Sequence, residues 1–134
     1  MTIADVAQKY GLSAETLRYY ERVGLVPRVN RKKNGIRDYT DEDCRWVEFS
    51  KCMRAAGLPI EVLIEYVALF QQGDETLTAR KELLIDQRKK MVEKMEVMKK
   101  TLDRLDYKIS RYENAVPIQE PDLKKADDAV EEDA

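Results

Sequence analysis

The chain has 134 residues, enough for one compact domain or for a small domain plus an extended helix. Its 24 Lys or Arg against 26 Asp or Glu leave a net charge of -2, and the lack of any histidine excludes a Cys/His metal site and the usual proton shuttle of an enzyme. No run of about 18 apolar residues exists, and Met1-Thr2-Ile3-Ala4 begins neither a basic nor an apolar leader region, so a soluble cytoplasmic protein is expected. The charge is uneven. Residues 1–40 carry eight Lys or Arg against four Asp or Glu, residues 41–116 fourteen against fifteen, and residues 117–134 two against seven. A basic first segment on an otherwise acidic chain points to a polyanionic partner at that end.

Thr2-Ile3-Ala4-Asp5 has the form of a capping box, and Ile3, Val6, Ala7 and Tyr10 supply a short apolar stripe that Gly11 ends. Ser13 caps a second helix through Val23, closed by Gly24, with Glu15 in its first turn as the helix dipole favours. Two short helices joined at Gly11-Leu12-Ser13 form a helix-turn-helix signature, in which the second helix enters a major groove. On it Leu17, Tyr20 and Val23 face the core, leaving Thr16, Arg18, Tyr19 and Arg22 for solvent or DNA.

Leu25-Val26-Pro27 reads as a short extended piece. From Arg28 to Tyr39 the chain carries five basic residues, with Asn34-Gly35 where a two-residue hairpin turn is expected, so a basic wing follows the helix pair. Arg37 and Tyr39 fall on one face of its returning strand, where a guanidinium can pair with phosphate and a phenol can stack on sugar or donate a hydrogen bond. Taken alone, Arg31-Lys32-Lys33 would read as an exposed charged loop.

Thr40 opens a capping box with Asp43, for a helix running through Cys44, Val47, Phe49, Cys52, Met53 and Ala56 to Gly57. Pro59 takes the first position of a fourth helix, whose Ile60, Leu63, Ile64, Val67 and Phe70 give one apolar face, and Gln71-Gln72-Gly73 stops it. Asp74 or Thr76 then caps the last helix. In it Leu77, Leu84, Met91, Met98, Leu105 and Tyr112 recur every seven residues with neither Gly nor Pro between them. As d positions they put Lys81, Arg88, Met95, Leu102 and Ile109 at a, so the seam is apolar on both tracks from Met95 onward and weaker before it. Ile85 and Val92 sit beside the seam, placed to pack against another part of the chain. At about 1.5 Å per residue this stretch is a rod of roughly 54 Å, too long for the rest of the chain to cover. Two chains are needed, and heptads alone leave parallel and antiparallel pairing open.

The expected fold is mainly α: a winged helix-turn-helix DNA-binding domain in residues 1–73, a dimerisation coiled-coil helix in residues 74–116, and an acidic, flexible tail in residues 117–134. In that tail Leu123 and Val130 offer transient contacts. No cofactor is expected, nor an enzyme site. The carboxylates Asp41, Glu42 and Asp43 are explained by a helix start, and no Gly-rich phosphate cradle exists. Cys44 and Cys52, eight apart in one helix, are expected on roughly opposed sides, against an intrachain disulfide. A four-cysteine metal site would need both cysteines of two chains. Cys44 serves as a small apolar filler, while Lys51 and Arg54 beside Cys52 supply a field that favours its thiolate.

Leu17-Arg18-Tyr19-Tyr20-Glu21, Gly24-Leu25-Val26, Arg37-Asp38-Tyr39, Gly57-Leu58-Pro59-Ile60 and the terminal rod together resemble the MerR family of bacterial transcription regulators, over residues 1 to about 113. The resemblance implies an antiparallel coiled-coil homodimer on double-stranded promoter DNA. It implies that Thr16, Arg18, Tyr19 and Tyr20 approach the duplex from the second helix, and Arg37 and Tyr39 from the wing. Members distort a promoter with an over-long spacer so that RNA polymerase can use it. Metal-sensing members carry cysteines at the start and just beyond the end of the dimerisation helix; here residues 73–80 and 113–120 have none. What remains resembles the aldehyde- and electrophile-responsive branch, with a lone cysteine in the context Phe49-Ser50-Lys51-Cys52-Met53-Arg54. By that resemblance Cys52 is the sensing thiol, with Cys44 a departure from the pattern. The alternatives are a regulator of the same kind answering to a non-covalent ligand or oxidant without Cys52 chemistry, and, ranked lower, a coiled-coil interaction protein.

Overall fold

The computed structural model describes residues 1–115; the acidic tail, with Leu123 and Val130, lies outside them. Its order is α1 (Ile3–Tyr10), α2 (Ala14–Val23), α3 (Asp41–Ala55), α4 (Ile60–Gln71), a 3-10 turn (Asp74–Thr76) and α5 (Leu77–Asn114). The fold is mainly α, and the one β pairing among the described residues is the antiparallel bridge Arg31–Arg37. Two compact units result, Met1–Ile85 and, among the described residues, 86–115.

In the first unit the helix starts follow local chemistry. Thr2 with Asp5 and Thr40 with Asp43 form reciprocal capping boxes, and the Ser13 hydroxyl accepts from the Thr16 N–H at 3.0 Å. Gly11 ends α1 with φ of 65°, a conformation costly for any residue with a Cβ, and so allows the tight turn into α2. Helix α1 packs on α2 and α3. Val6, Leu17, Leu25, Val26, Val29, Val47, Leu63 and Val67 are buried, each contributing about 1.5–3 kcal/mol of apolar burial before chain entropy is counted. The buried Ser50 hydroxyl donates to the Leu25 carbonyl at 2.7 Å, tying α3 to the segment that leaves α2.

Several local expectations are corrected. The wing turn spans three residues, Lys33-Asn34-Gly35, because the Gly35 N–H donates to the Lys32 carbonyl (2.9 Å) and the Lys32 N–H to the Ile36 carbonyl (2.8 Å). Gly35, at φ 83°, takes the left-handed position such a loop requires. Pro59 is the N-cap of α4 rather than its first helical residue. Thr76 donates its hydroxyl toward the carbonyls of Leu69 (2.6 Å) and Gly73 (2.8 Å), closing the 3-10 turn, and what it accepts from α5 is the Arg80 side chain (Nε at 3.0 Å) rather than a backbone N–H. Cys44 and Cys52 are not opposed: eight helical residues leave them about 80° apart, sufficient for Cys44 to be buried and Cys52 exposed.

Helix α5 is 38 residues long. Leu77, Leu84, Met95, Met98, Leu102, Leu105, Ile109 and Tyr112 are all exposed along it, Met98 to 70%. Ile85 and Val92, expected to find cover within the chain, are exposed too.

Candidate nucleic-acid interface

On α2 the residues divide as periodicity requires. Leu17 and Tyr20 are buried, whereas Arg18, Tyr19 and Arg22 are exposed, with the Arg22 guanidinium 5.6 Å from the Tyr19 ring centroid. Thr16 is half-buried, and its hydroxyl accepts from the Ser13 hydroxyl at 2.8 Å. Tyr20 keeps only 8% of its surface, and burial pushes its phenol pKa upward, against the field of Arg54. Of the four α2 residues singled out from sequence, Arg18 and Tyr19 are therefore presented outright, Thr16 partly, and Tyr20 chiefly as a core residue.

The wing is fastened to α2 by one carboxylate. Arg37 Nε donates to Glu21 Oε1 at 2.7 Å, and the Val29 N–H donates to Glu21 Oε2 at 2.9 Å. Around that pair Arg18, Arg22, Arg28, Arg31 and Arg37 line an open polar basin of about 300 Å³. Five guanidiniums against one carboxylate make a concentrated positive field, and guanidinium is the side chain best matched to phosphate oxygens. Tyr39 is 3% exposed, and its hydroxyl has no hydrogen-bond partner among the described residues. Burial raises the Tyr39 phenol above its ordinary 10.0, and the nearby Arg37 pulls it back. Arg28 and Arg31 converge with α2 while Lys32 and Lys33 do not line the basin, and neither this convergence nor the part Glu21 plays between α2 and the wing follows from the spacing of residues along the sequence.

Cys52 is an exposed free thiol on α3 and Cys44 a buried one, its Sγ 3.9 Å from Met1 Sδ. The two cations flanking Cys52 are both engaged: Lys51 Nζ donates to the Tyr10 carbonyl, and an Arg54 guanidinium nitrogen to the Leu58 carbonyl at 3.1 Å. On the two turns of α3 before Cys52, Trp46 and Phe49 join Tyr66 and Phe70 of α4 in a cluster with ring centroids 4.9–6.0 Å apart. With Glu42 and Arg45 these rings line a cleft of about 340 Å³. No group of His, Cys, Asp or Glu among the described residues is arranged to hold a metal ion, and no helix there is long and apolar enough to cross a membrane.

A helix-turn-helix with an arginine-lined wing, followed by a long helix carrying an apolar seam, is the build of a DNA-binding regulator. Residues 1–69 match the MerR HTH family of regulatory proteins, and the chain belongs to that family. Over 93 residues it is 61% identical to the HTH-type transcriptional regulator AdhR of Bacillus subtilis (strain 168), a match covering 69% of this chain and 66% of that protein. The crystal structure of a MerR family transcriptional regulator from Listeria monocytogenes superposes with a TM-score of 0.85 at 43% identity, covering 100% of this chain and 99% of that one. That of HiNmlR, a MerR family regulator lacking the sensor domain and bound to promoter DNA, gives 0.77 at 33% identity, covering 87% and 93%.

Proposed function

We propose that the chain acts as a homodimeric transcription regulator that binds duplex promoter DNA and answers to reactive aldehydes or other electrophiles at Cys52. The arginine basin between α2 and the wing carries the first half. Phosphates seat there against Arg18, Arg22, Arg28, Arg31 and Arg37; Thr16, Tyr19 and the edge of Tyr20 meet the groove; and the Tyr39 hydroxyl, buried and unpartnered in the free chain, donates to the backbone once the wing shifts against the duplex. Promoter binding by HiNmlR, at 33% identity, supports this assignment. The seam of α5, with Leu77, Leu84, Met95, Met98, Leu102, Leu105, Ile109 and Tyr112 exposed and Met91 half-buried, pairs antiparallel with a second copy. Residues 1–73 then serve as the reading head and residues 74–116 as the spacer. The bound dimer bends and untwists an over-long promoter spacer into a form RNA polymerase accepts.

Cys52 supplies the switch because it is a free thiol at the surface of a single chain. Its sulfur adds to the carbonyl carbon of an aldehyde, forming a C–S bond as the C=O π bond opens, and the thiol proton ends on the new hydroxyl. No redox partner is required. Where the second copy covers that surface, the added atoms overpack the contact at about 1–3 kcal/mol, enough to reverse a balanced equilibrium. The test is a promoter reporter with the wild type and Cys52→Ser, challenged with formaldehyde. Induction lost in the variant, with a wild-type mass increase confined to the Cys52 peptide, supports the thiol assignment. Full induction in Cys52→Ser sinks it.

The cleft beside Trp46, Phe49, Tyr66 and Phe70 favours a second reading, a small apolar ligand held without covalent chemistry. Retained response in Cys52→Ser together with a response lost in Trp46→Ala would select it.

A further inference from the structure

Glu21 stands in a basin otherwise lined by arginines, on the surface assigned to a polyanion. Counted as bulk charge, a carboxylate there opposes phosphate, and removing it should strengthen binding. Its geometry argues for the opposite sign. Both oxygens are committed, Oε1 to Arg37 Nε at 2.7 Å and Oε2 to the Val29 N–H at 2.9 Å, so one side chain of α2 grips the wing by a side chain and by the backbone. The pair is largely enclosed, with Glu21 12% and Arg37 20% exposed, and so is less screened than a surface ion pair. Held at Nε, the Arg37 guanidinium keeps its four Nη–H donors, which meet no protein acceptor among the described residues.

We propose that Glu21 is a positioning residue of the nucleic-acid interface: it fixes the wing on α2 and orients Arg37 so that the Nη edge is preset for a phosphate. The inference rests on the DNA-binding reading and adds a residue to it. An arginine tethered at Nε loses little rotamer freedom when phosphate binds, whereas an untethered one must be ordered at that moment. The carboxylate also offsets part of the mutual repulsion of five guanidiniums in the free protein, while leaving the basin a net cation.

The experiment measures affinity against salt for an operator duplex selected from random-sequence DNA by the wild-type protein. The variants are Glu21→Gln, Glu21→Asp, Arg37→Ala, the double variant E21Q/R37A, and Glu15→Gln on the same helix as a bulk-charge control. Glu21→Gln is expected to bind about tenfold more weakly at physiological salt. Its slope of log affinity against log salt should shrink by about one phosphate contact, as for Arg37→Ala, while Glu15→Gln binds as tightly as wild type or more tightly. The double variant should be no worse than Arg37→Ala, because an orienting group contributes nothing once its arginine is gone. Glu21→Asp keeps the net charge and cannot span both partners, so it should lose affinity too; should Glu21→Gln lack a cooperative melt, Glu21→Asp and Arg37→Ala decide the matter. Wild-type or tighter binding by a folded Glu21 variant, or additive losses in the double, overturns the proposal. A wild-type protein that selects no duplex at all takes the DNA-binding reading down with it.

Discussion

The Tyr39 hydroxyl is buried without a hydrogen-bond partner among the described residues, in the fields of Arg37, Glu21 and Arg18. An unsatisfied buried hydroxyl costs about 1–3 kcal/mol, so the site holds a group that weakens the free fold and becomes useful only when an acceptor arrives. Tyr39→Phe should therefore leave stability unchanged or raise it by about 1 kcal/mol, while weakening duplex affinity about tenfold, the worth of one bond to a charged oxygen. Thermal melts and a binding titration on one preparation check both signs; a destabilised variant with undiminished affinity would contradict the account. A pH prediction follows from the same burial. Tyr20 and Tyr39 both have phenol pKa values raised above 10.0 in the fold. The fold therefore binds those protons more tightly than the unfolded chain does, so the contribution is complete below about pH 10 and is lost as pH rises through the folded values. Melting temperature should stay flat with respect to these groups through neutral pH and fall in the alkaline limb, and the fall should be shallower in Tyr39→Phe.

At the scale of elements, what could be read from the sequence is what is local. Thr2 with Asp5, Ser13 with Thr16, and Thr40 with Asp43 are three residues apart, and each cap formed where its spacing put it. The heptads likewise lie within one helix, and α5 runs through them from Leu77 to Asn114. The wing turn was less legible, because a glycine in the left-handed region serves a two-residue or a three-residue loop equally well, and only the register across Lys32 and Ile36 chooses. Glu21 and Arg37 are 16 positions apart, and their pairing depends on how the wing folds back on α2. The setting of Cys52 was likewise hidden from its neighbours: Lys51 points its charge at the Tyr10 carbonyl, 41 positions away, and Arg54 turns to the Leu58 carbonyl. The seam itself makes a prediction about α5. In an isologous pair each substitution counts twice, so Leu102→Ala, removing about 2 kcal/mol of burial per chain, should weaken the dimer by about 4 kcal/mol, near a thousandfold. Lys81→Ala, on the half where the a track is charged, should change little. Sedimentation equilibrium on the two variants separates a seam confined to the Met95–Tyr112 half from one spread along the whole helix, which would weaken both alike.

On the scale of the whole molecule, a net charge of -2 gives no general attraction to DNA, so binding depends on the concentration of cations in the first 40 residues. Two heads joined by their spacers have a further consequence. If each head engages phosphates through its own arginine basin, a dimer neutralises twice the number a single head does, and its operator must repeat with the same two-fold symmetry. With about 6 or more contacts in the dimer, affinity should fall by about a thousandfold or more between 50 and 200 mM salt. Leu102→Glu, which places a carboxylate in the seam, should give a folded single chain whose salt slope is half that of wild type and which no longer distinguishes a palindromic duplex from one of its half-sites. The slope separates two accounts that affinity alone would not. A monomer weakened by misfolding retains neither slope nor melt, whereas a monomer with an intact head keeps the melting behaviour of the first unit and a slope of one half. A full slope in a variant shown to be monomeric would mean that a single head makes all the phosphate contacts, and the dimer would then serve something other than reading two half-sites.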